Sequence, residues 1–478
     1  MYKEHHAKYP EWKIYGSETA STIQSRGIYH FPLSMNLVTH DDRQCSTLGN
    51  CTTTWGCEST QKVITNDRDT PFSAGQFIWT GWDYIGEPTP YNNTSKSSYF
   101  GQIDTAGFFK DTAYLYKAEW GGNRFVPFVH LLPYWDWNVG QKITVKAYTN
   151  CEEVELFVNG KSFGKQKIDH KKDMNLFGQW DVVYEKGEIK AVAYDEDGKV
   201  VAEETKHSFG DSVKIEMNPE LFQKGGSGSA CLKCLSNGNG TSHLGNMYFM
   251  DIRTVDKDGF DVSNARNVIS VKVEGDADFI CMDNGDATDY DQYVSNVRRL
   301  FGNRLLCMVR SKSETSDFTV TAYSKDLTGC KCIFKNGEFS GTEEVNVSEK
   351  DLVEMFGEYA AYVPVRKIEQ TLLHGGLVNF SKENRVQHLC AKILPENATS
   401  KEISFNPMLP TSVLSDAVEV TQNGTEAELK AVCDGDFIMR VSANNAHDYP
   451  EIISELDMSV QGVGNPKFNP YILVEACR

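Results

Sequence analysis

The chain has 478 residues, 40% hydrophobic and 24% charged, a globular composition too long for one ordinary core, so two to four domains are expected. A net charge of −18 repels phosphate and argues against nucleic acid or anionic membranes as partners, while leaving neutral sugars open. No apolar run reaches the ~20 residues that span a bilayer, and the opening MYKEHHAKYPEWKIYG lacks the basic stretch and apolar core of a signal peptide.

Residues 1–126 are irregular and rich in Trp, Tyr and Gly. Within them GQFIWTGWDYIGEPTPY (75–91) carries a run, Phe77-Ile78-Trp79, that reads as a buried strand breaking into a Gly/Pro loop. KDTAYLYKAEW (110–120) then places Ala113, Tyr116, Lys117 and Trp120 at helical spacing. Strand, loop and helix make one βα unit, and KIYGSE earlier reads as the strand of another.

From residue 127 the pattern turns to period-two alternation. Val154, Leu156 and Val158 share one face, and Asn159-Gly160 is a hairpin-turn signal, so 127–210 is expected to form an antiparallel sandwich. Trp135 and Trp137 are expected to pack it against the preceding unit. A Gly/Ser stretch, KGGSGSA (224–230), lies near the next boundary. The alternation recurs over 211–335, with a turn at Asp258-Gly259 and a closing strand at FTVTAYS (318–324). A third β region covers 355–478.

The thirteen scattered cysteines are expected to be reduced thiols in a cytoplasmic protein. Cys231 with Cys234, and Cys330 with Cys332, lack histidines at ligand spacing, so no metal is expected. The acidic string Asp276, Asp278, Asp283, Asp286, Asp289 and Asp291 misses the twelve-residue calcium-loop pattern and reads as a solvated sandwich loop.

GSETAST, DDRQCSTLGNCTTTWG, GQFIWTGWDYIGEPTPY, SSYFGQIDTAGFFKD and VELFVNGKSFG together resemble the C-terminal part of family 2 glycoside hydrolases. The similarity is to bacterial β-galactosidases with immunoglobulin-like domains after the barrel. FICMDNGDATDY, YVPVRKIE, KILPENATSKEI and RVSANNAHDYPEIISEL resemble those appended domains, in the family's order.

The resemblance implies a multidomain fold: the last two βα units of a (β/α)8 TIM barrel, then three immunoglobulin-like sandwiches. It implies retaining hydrolysis of terminal β-galactosides without a cofactor. One carboxylate attacks the anomeric carbon, and a carboxyl ~5 Å away protonates the leaving oxygen and then activates water. Glu18 matches the nucleophile by its Gly-Ser-Glu context, and must be kept ionised by hydrogen-bond donors. Trp79 matches the wall of the subsite for the reacting sugar, and Asp83 and Glu87 follow in the loop, positioned to bond sugar or to hold the loop.

The chain also departs from that pattern. A barrel needs ~250 residues, but only 126 precede the sandwiches, and the acid/base Asn-Glu motif does not occur ahead of Glu18. Glu58 and Glu87 are poor substitutes, since the family's acid lies across the scissile bond. The chain is therefore expected to be inactive alone, as a fragment or as one half of an enzyme completed by an N-terminal chain or a homo-oligomer. The alternative is a non-catalytic sandwich protein for glycan binding or subunit contact. Within the family, the β-glucuronidase reading calls for an Asn-x-Lys pair, whereas Asn93 and Lys96 are three apart.

Overall fold

Strands Ile14–Ala20 and Ser73–Trp79 run parallel, with helix Thr60–Arg68 between them in sequence, in a computed structural model. It describes residues 2–31, 33, 37–39, 41–46, 59–121, 126–172, 174–219, 245–357, 361–410, 413–445 and 450–464. The helix starts where Ser59 Oγ accepts the Lys62 N–H at 3.2 Å, satisfying a donor of its first turn. It buries Ile64 in the core of the following sandwich. Helix Asp111–Gly121 matches the expected span, but its buried face is Leu115, Tyr116 and Ala118, while Trp120 is exposed.

The two-stranded sheet is a β–α–β unit, short of a closed barrel. The expectation that Phe77-Ile78-Trp79 is a buried run fails here: Phe77 is 67% exposed, edge-on to the exposed Tyr15 at 6.1 Å. With only one neighbour, neither strand has a layer to cover that face.

Two sheets form the first sandwich. Val200–His207, Glu188–Tyr194, Glu153–Val158 and Lys161–Lys167 lie in that order, opposite Val129–Leu132, Lys142–Thr149 and Phe177–Val183. Val154, Leu156 and Val158 are buried together, each stabilising by ~1.5–3 kcal/mol. Asn159 and Gly160 both take positive φ, the geometry of the tight turn their sequence signals. Trp135 lies inside this sandwich, donating to the Glu185 carbonyl, and Trp137 packs edge-on to Phe31 of the N-terminal region.

The second sandwich pairs Lys214–Asn218, Met247–Val255, Leu305–Ser311 and Ala277–Asp283 in one sheet. The other holds Val297–Arg299, Val268–Gly275, Phe318–Tyr323, Gly329–Lys335 and Glu338–Val345. Phe318–Tyr323 is thus a central strand, not a closing one. Glu338–Val345 carries the sheet past residue 335 by pairing with Gly329–Lys335. Cys330 and Cys332 are buried in this core; Cys231, Cys234 and the Gly/Ser stretch lie outside the described residues.

The acidic string is not a solvated loop. Asp286 meets Arg299 at 2.9 Å and Asp289 meets Arg298 at 2.9 Å, and all four side chains are buried. The chain folds back between Asp283 and Val297, delivering two arginines to carboxylates that look unpaired in sequence. Asp276 and Asp278 remain exposed.

The third sandwich sets Lys367–Leu372, Val386–Leu394, Glu426–Ala431 and Val418–Asn423 against Asn379–Phe380, Ile452–Val460, Gly435–Ala443 and Ile403–Met408. Its attachment is polar. Arg366 reaches Asp136 of the first sandwich at 2.9 Å and Asp211 at 2.6 Å, and Lys367 reaches Asp136 at 2.6 Å. Arg440 ties it to Asp41 at 3.0 Å.

Candidate active site

Parallel pairing places Thr19 opposite Ile78 and Ala20 opposite Trp79, so Glu18 and Trp79 lie at the same C-terminal edge of the sheet. Glu18 is exposed, with no hydrogen bond or ion pair among the described residues. The donors that would hold a nucleophilic carboxylate ionised are therefore not supplied by the described part of this chain.

Trp79 is half-buried. It packs against a cluster of Ile23, Cys45, Tyr91, Tyr99, Phe100 and Ala287, and the Trp79–Thr80 peptide is cis. Ala287 belongs to the second sandwich, and its carbonyl accepts the Lys96 N–H at 2.8 Å. Around it, Gln44 Nε2 donates to Asp286 at 3.1 Å and Arg26 donates to the Asn284 carbonyl at 2.7 Å. The buried ion pairs thus fix a loop of the second sandwich directly behind the tryptophan.

Tyr84 joins the predicted residues. Its ring meets Trp79 edge-on at 6.0 Å, and its hydroxyl donates to Glu87. Partial burial and the charges of Glu87 and Glu18 push its phenol up to about 12. Sequence reasoning missed Tyr84; its one signal is its place three residues before Glu87 in a turn. Glu87 is exposed, at a φ of 46°.

Asp83 turns inward. Its carboxylate meets Lys110 at 2.6 Å, and accepts the Gly101 N–H at 2.8 Å and the Ser98 hydroxyl at 3.4 Å. Burial pushes it up to about 6 against the pull of Lys110. Gly101 permits this approach, since a Cβ there would lie 2.1 Å from the Asp83 nitrogen. In this geometry Asp83 holds the loop and offers nothing to a ligand. Glu58 lies outside the described residues.

Glu18 and Trp79 thus share one edge of the β–α–β unit, with the stacked sandwiches behind it. Two family models match within the sandwiches: a domain of unknown function (DUF4982) over 140–202, and glycoside hydrolase family 2 C-terminal domain 5 over 241–332. The chain belongs to glycoside hydrolase family 2 and covers only part of a full-length member. It is 32% identical to the β-galactosidase BoGH2A of Bacteroides ovatus over 333 residues, 67% of this chain and 36% of that protein. It is 30% identical to a putative β-glucuronidase of Formosa agariphila over 273 residues, 56% of this chain and 24% of that one. A β-glycosidase structure from Bacteroides vulgatus shares the fold, with a TM-score of 0.57 at 24% identity over 70% of this chain and 43% of that one. The chain thus spans about a third or less of the curated relatives named here.

Proposed function

We propose that this chain is the nucleophile-bearing C-terminal portion of a retaining exo-β-galactosidase, and that its β–α–β unit belongs to a (β/α)8 barrel. The observation that carries the reading is the shared edge of Glu18 and Trp79, where barrel enzymes of this kind place their chemistry. Glu18 attacks the anomeric carbon of a terminal β-galactoside and forms a covalent glycosyl-enzyme. Trp79 lies under the C–H face of the sugar. An acid/base carboxyl ~5 Å away, from a segment outside the β–α–β unit, protonates the leaving oxygen and then deprotonates the hydrolytic water. It comes with the segment that covers the exposed face of Tyr15 and Phe77, in a longer polypeptide or a second chain.

The β-galactosidase name of the Bacteroides ovatus relative supports a galactoside. A second observation bears on the glucuronide alternative. The Lys96 ammonium lies 4.8 Å over the Tyr293 ring of the second sandwich and is buried there. A lysine whose ammonium is buried against that ring is not presented to a sugar carboxylate.

The test is a chromogenic β-galactoside assay on residues 1–478, alone and mixed with an N-terminal complement carrying an Asn-Glu motif. Background turnover alone, activity on mixing and its loss in Glu18→Gln are expected. Turnover by the isolated chain that disappears in Glu18→Gln would contradict the incompleteness; mixed activity that survives Glu18→Gln would contradict the nucleophile.

A further inference from the structure

A cavity of about 100 Å³ lies where the N-terminal region and all three sandwiches meet, lined among others by His30, Asp42, Tyr134, Asp136, Arg266 and Glu455. Most of its charges are matched. Asp136 is held by Arg366 at 2.9 Å and Lys367 at 2.6 Å, Asp42 by His30 at 3.2 Å, and Glu455 by Arg440 at 2.8 Å.

Arg266 is not so matched among the described residues, and neither is Glu451. Arg266 is only 9% exposed, yet its guanidinium makes no hydrogen bond or ion pair among the described residues. The contact it does make is weak, 5.8 Å from the centroid of the Phe301 ring. Asp42 and Tyr134, which line the cavity, are among the groups that act on it electrostatically, so its charged end stands at the cavity wall. Asp286 acts on it too, but bonds Arg299. Carboxylates thus act on Arg266 only through space, and a guanidinium this buried is unfavourable unless something in the cavity accepts its hydrogen bonds.

We propose that the junction cavity is a binding site for one small, singly charged anion, of chloride to acetate size, held by Arg266. The size follows from the volume: a water needs only ~10–15 Å³ of such space, so the cavity of about 100 Å³ holds roughly seven to ten atoms of that size, too few for a sugar. The single charge follows from the lining, because Asp42, Asp136, Glu451 and Glu455 would repel a dianion. The bound anion ties the N-terminal region to the sandwiches, and stabilises the chain by an amount that grows logarithmically with its concentration above the dissociation constant.

Melting of the full chain at fixed ionic strength, with chloride or acetate progressively replacing gluconate (too large for the cavity), tests this. A rise of several degrees that grows with the logarithm of the chloride or acetate concentration in the wild type, and a flat response in Arg266→Met, are expected. Superimposable melts in all three salts, or a chloride response retained in Arg266→Met, would overturn the proposal. Should Arg266→Met fail to fold, crystals of the wild type soaked in bromide decide. An anomalous peak within bonding distance of the Arg266 guanidinium supports the site. Water alone, or the Glu451 carboxylate swung onto Arg266, overturns it.

Discussion

Asp289 and Arg298 face each other at 2.9 Å with both side chains fully buried, and Asn284 Nδ2 also donates to Asp289 at 2.6 Å. Desolvating two charges offsets much of their attraction, so such a pair is weak evidence of net stability, but removing one partner leaves the other uncompensated. Arg298→Met is therefore expected to destabilise the second sandwich by about 3–5 kcal/mol, read as a fall in its melting transition. The double variant Arg298→Met/Asp289→Leu should recover most of that loss. Because this loop backs Trp79 through Ala287, the single variant should also weaken sugar binding in the completed enzyme. None of this pairing was legible in the sequence. Six acids in sixteen residues resemble a solvated loop, and the arginines that answer them arrive through a turn of the chain, not through spacing. Glu18 was the opposite case: its exposure and lack of partners say little, and only the Gly-Ser-Glu motif singles it out.

Among the elements, the sandwich strands were the most readable, because half-burial writes a period of two directly into the residues. Val154, Leu156 and Val158 point inward, Glu153, Glu155 and Phe157 do not, and Asn159-Gly160 closes the hairpin. The parallel pair was readable as strands but not in its burial. Phe77 has the composition of a buried strand and is exposed, since covering it depends on neighbours that local sequence does not reveal. The helix between the pair rests on a local device. Ser59 caps Thr60–Arg68, and Ser59→Ala is expected to cost about 1 kcal/mol, seen as faster amide exchange over 60–68. As that helix follows the strand bearing Glu18 and precedes the one bearing Trp79, the change should lower kcat of the completed enzyme more than it lowers stability.

Across the whole molecule, the units are joined by buried polar contacts, which makes their docking sensitive to pH. His30 of the N-terminal region lies 3.2 Å from Asp42 and 4.0 Å from Glu455 of the third sandwich. Burial alone would push this imidazole down, and Arg440 acts the same way, but Asp42 and Glu455 outweigh them and hold it above its ordinary value of 6.5. A group raised on folding contributes its full stability below the unfolded value, and loses it as pH rises through the folded one. Docking of the third sandwich is thus expected to weaken as pH rises above about 6.5. Protease cleavage between the second and third sandwiches at pH 6 and pH 8.5 measures this, and His30→Gln should flatten the difference.

The most direct test of the central claim is covalent trapping. The completed enzyme, reacted with a 2-deoxy-2-fluoro-β-galactosyl fluoride and digested, should yield one labelled peptide carrying the fluorosugar as an ester on Glu18. A label on any other carboxylate, in an enzyme that is active and inactivated by the reagent, would contradict the assignment.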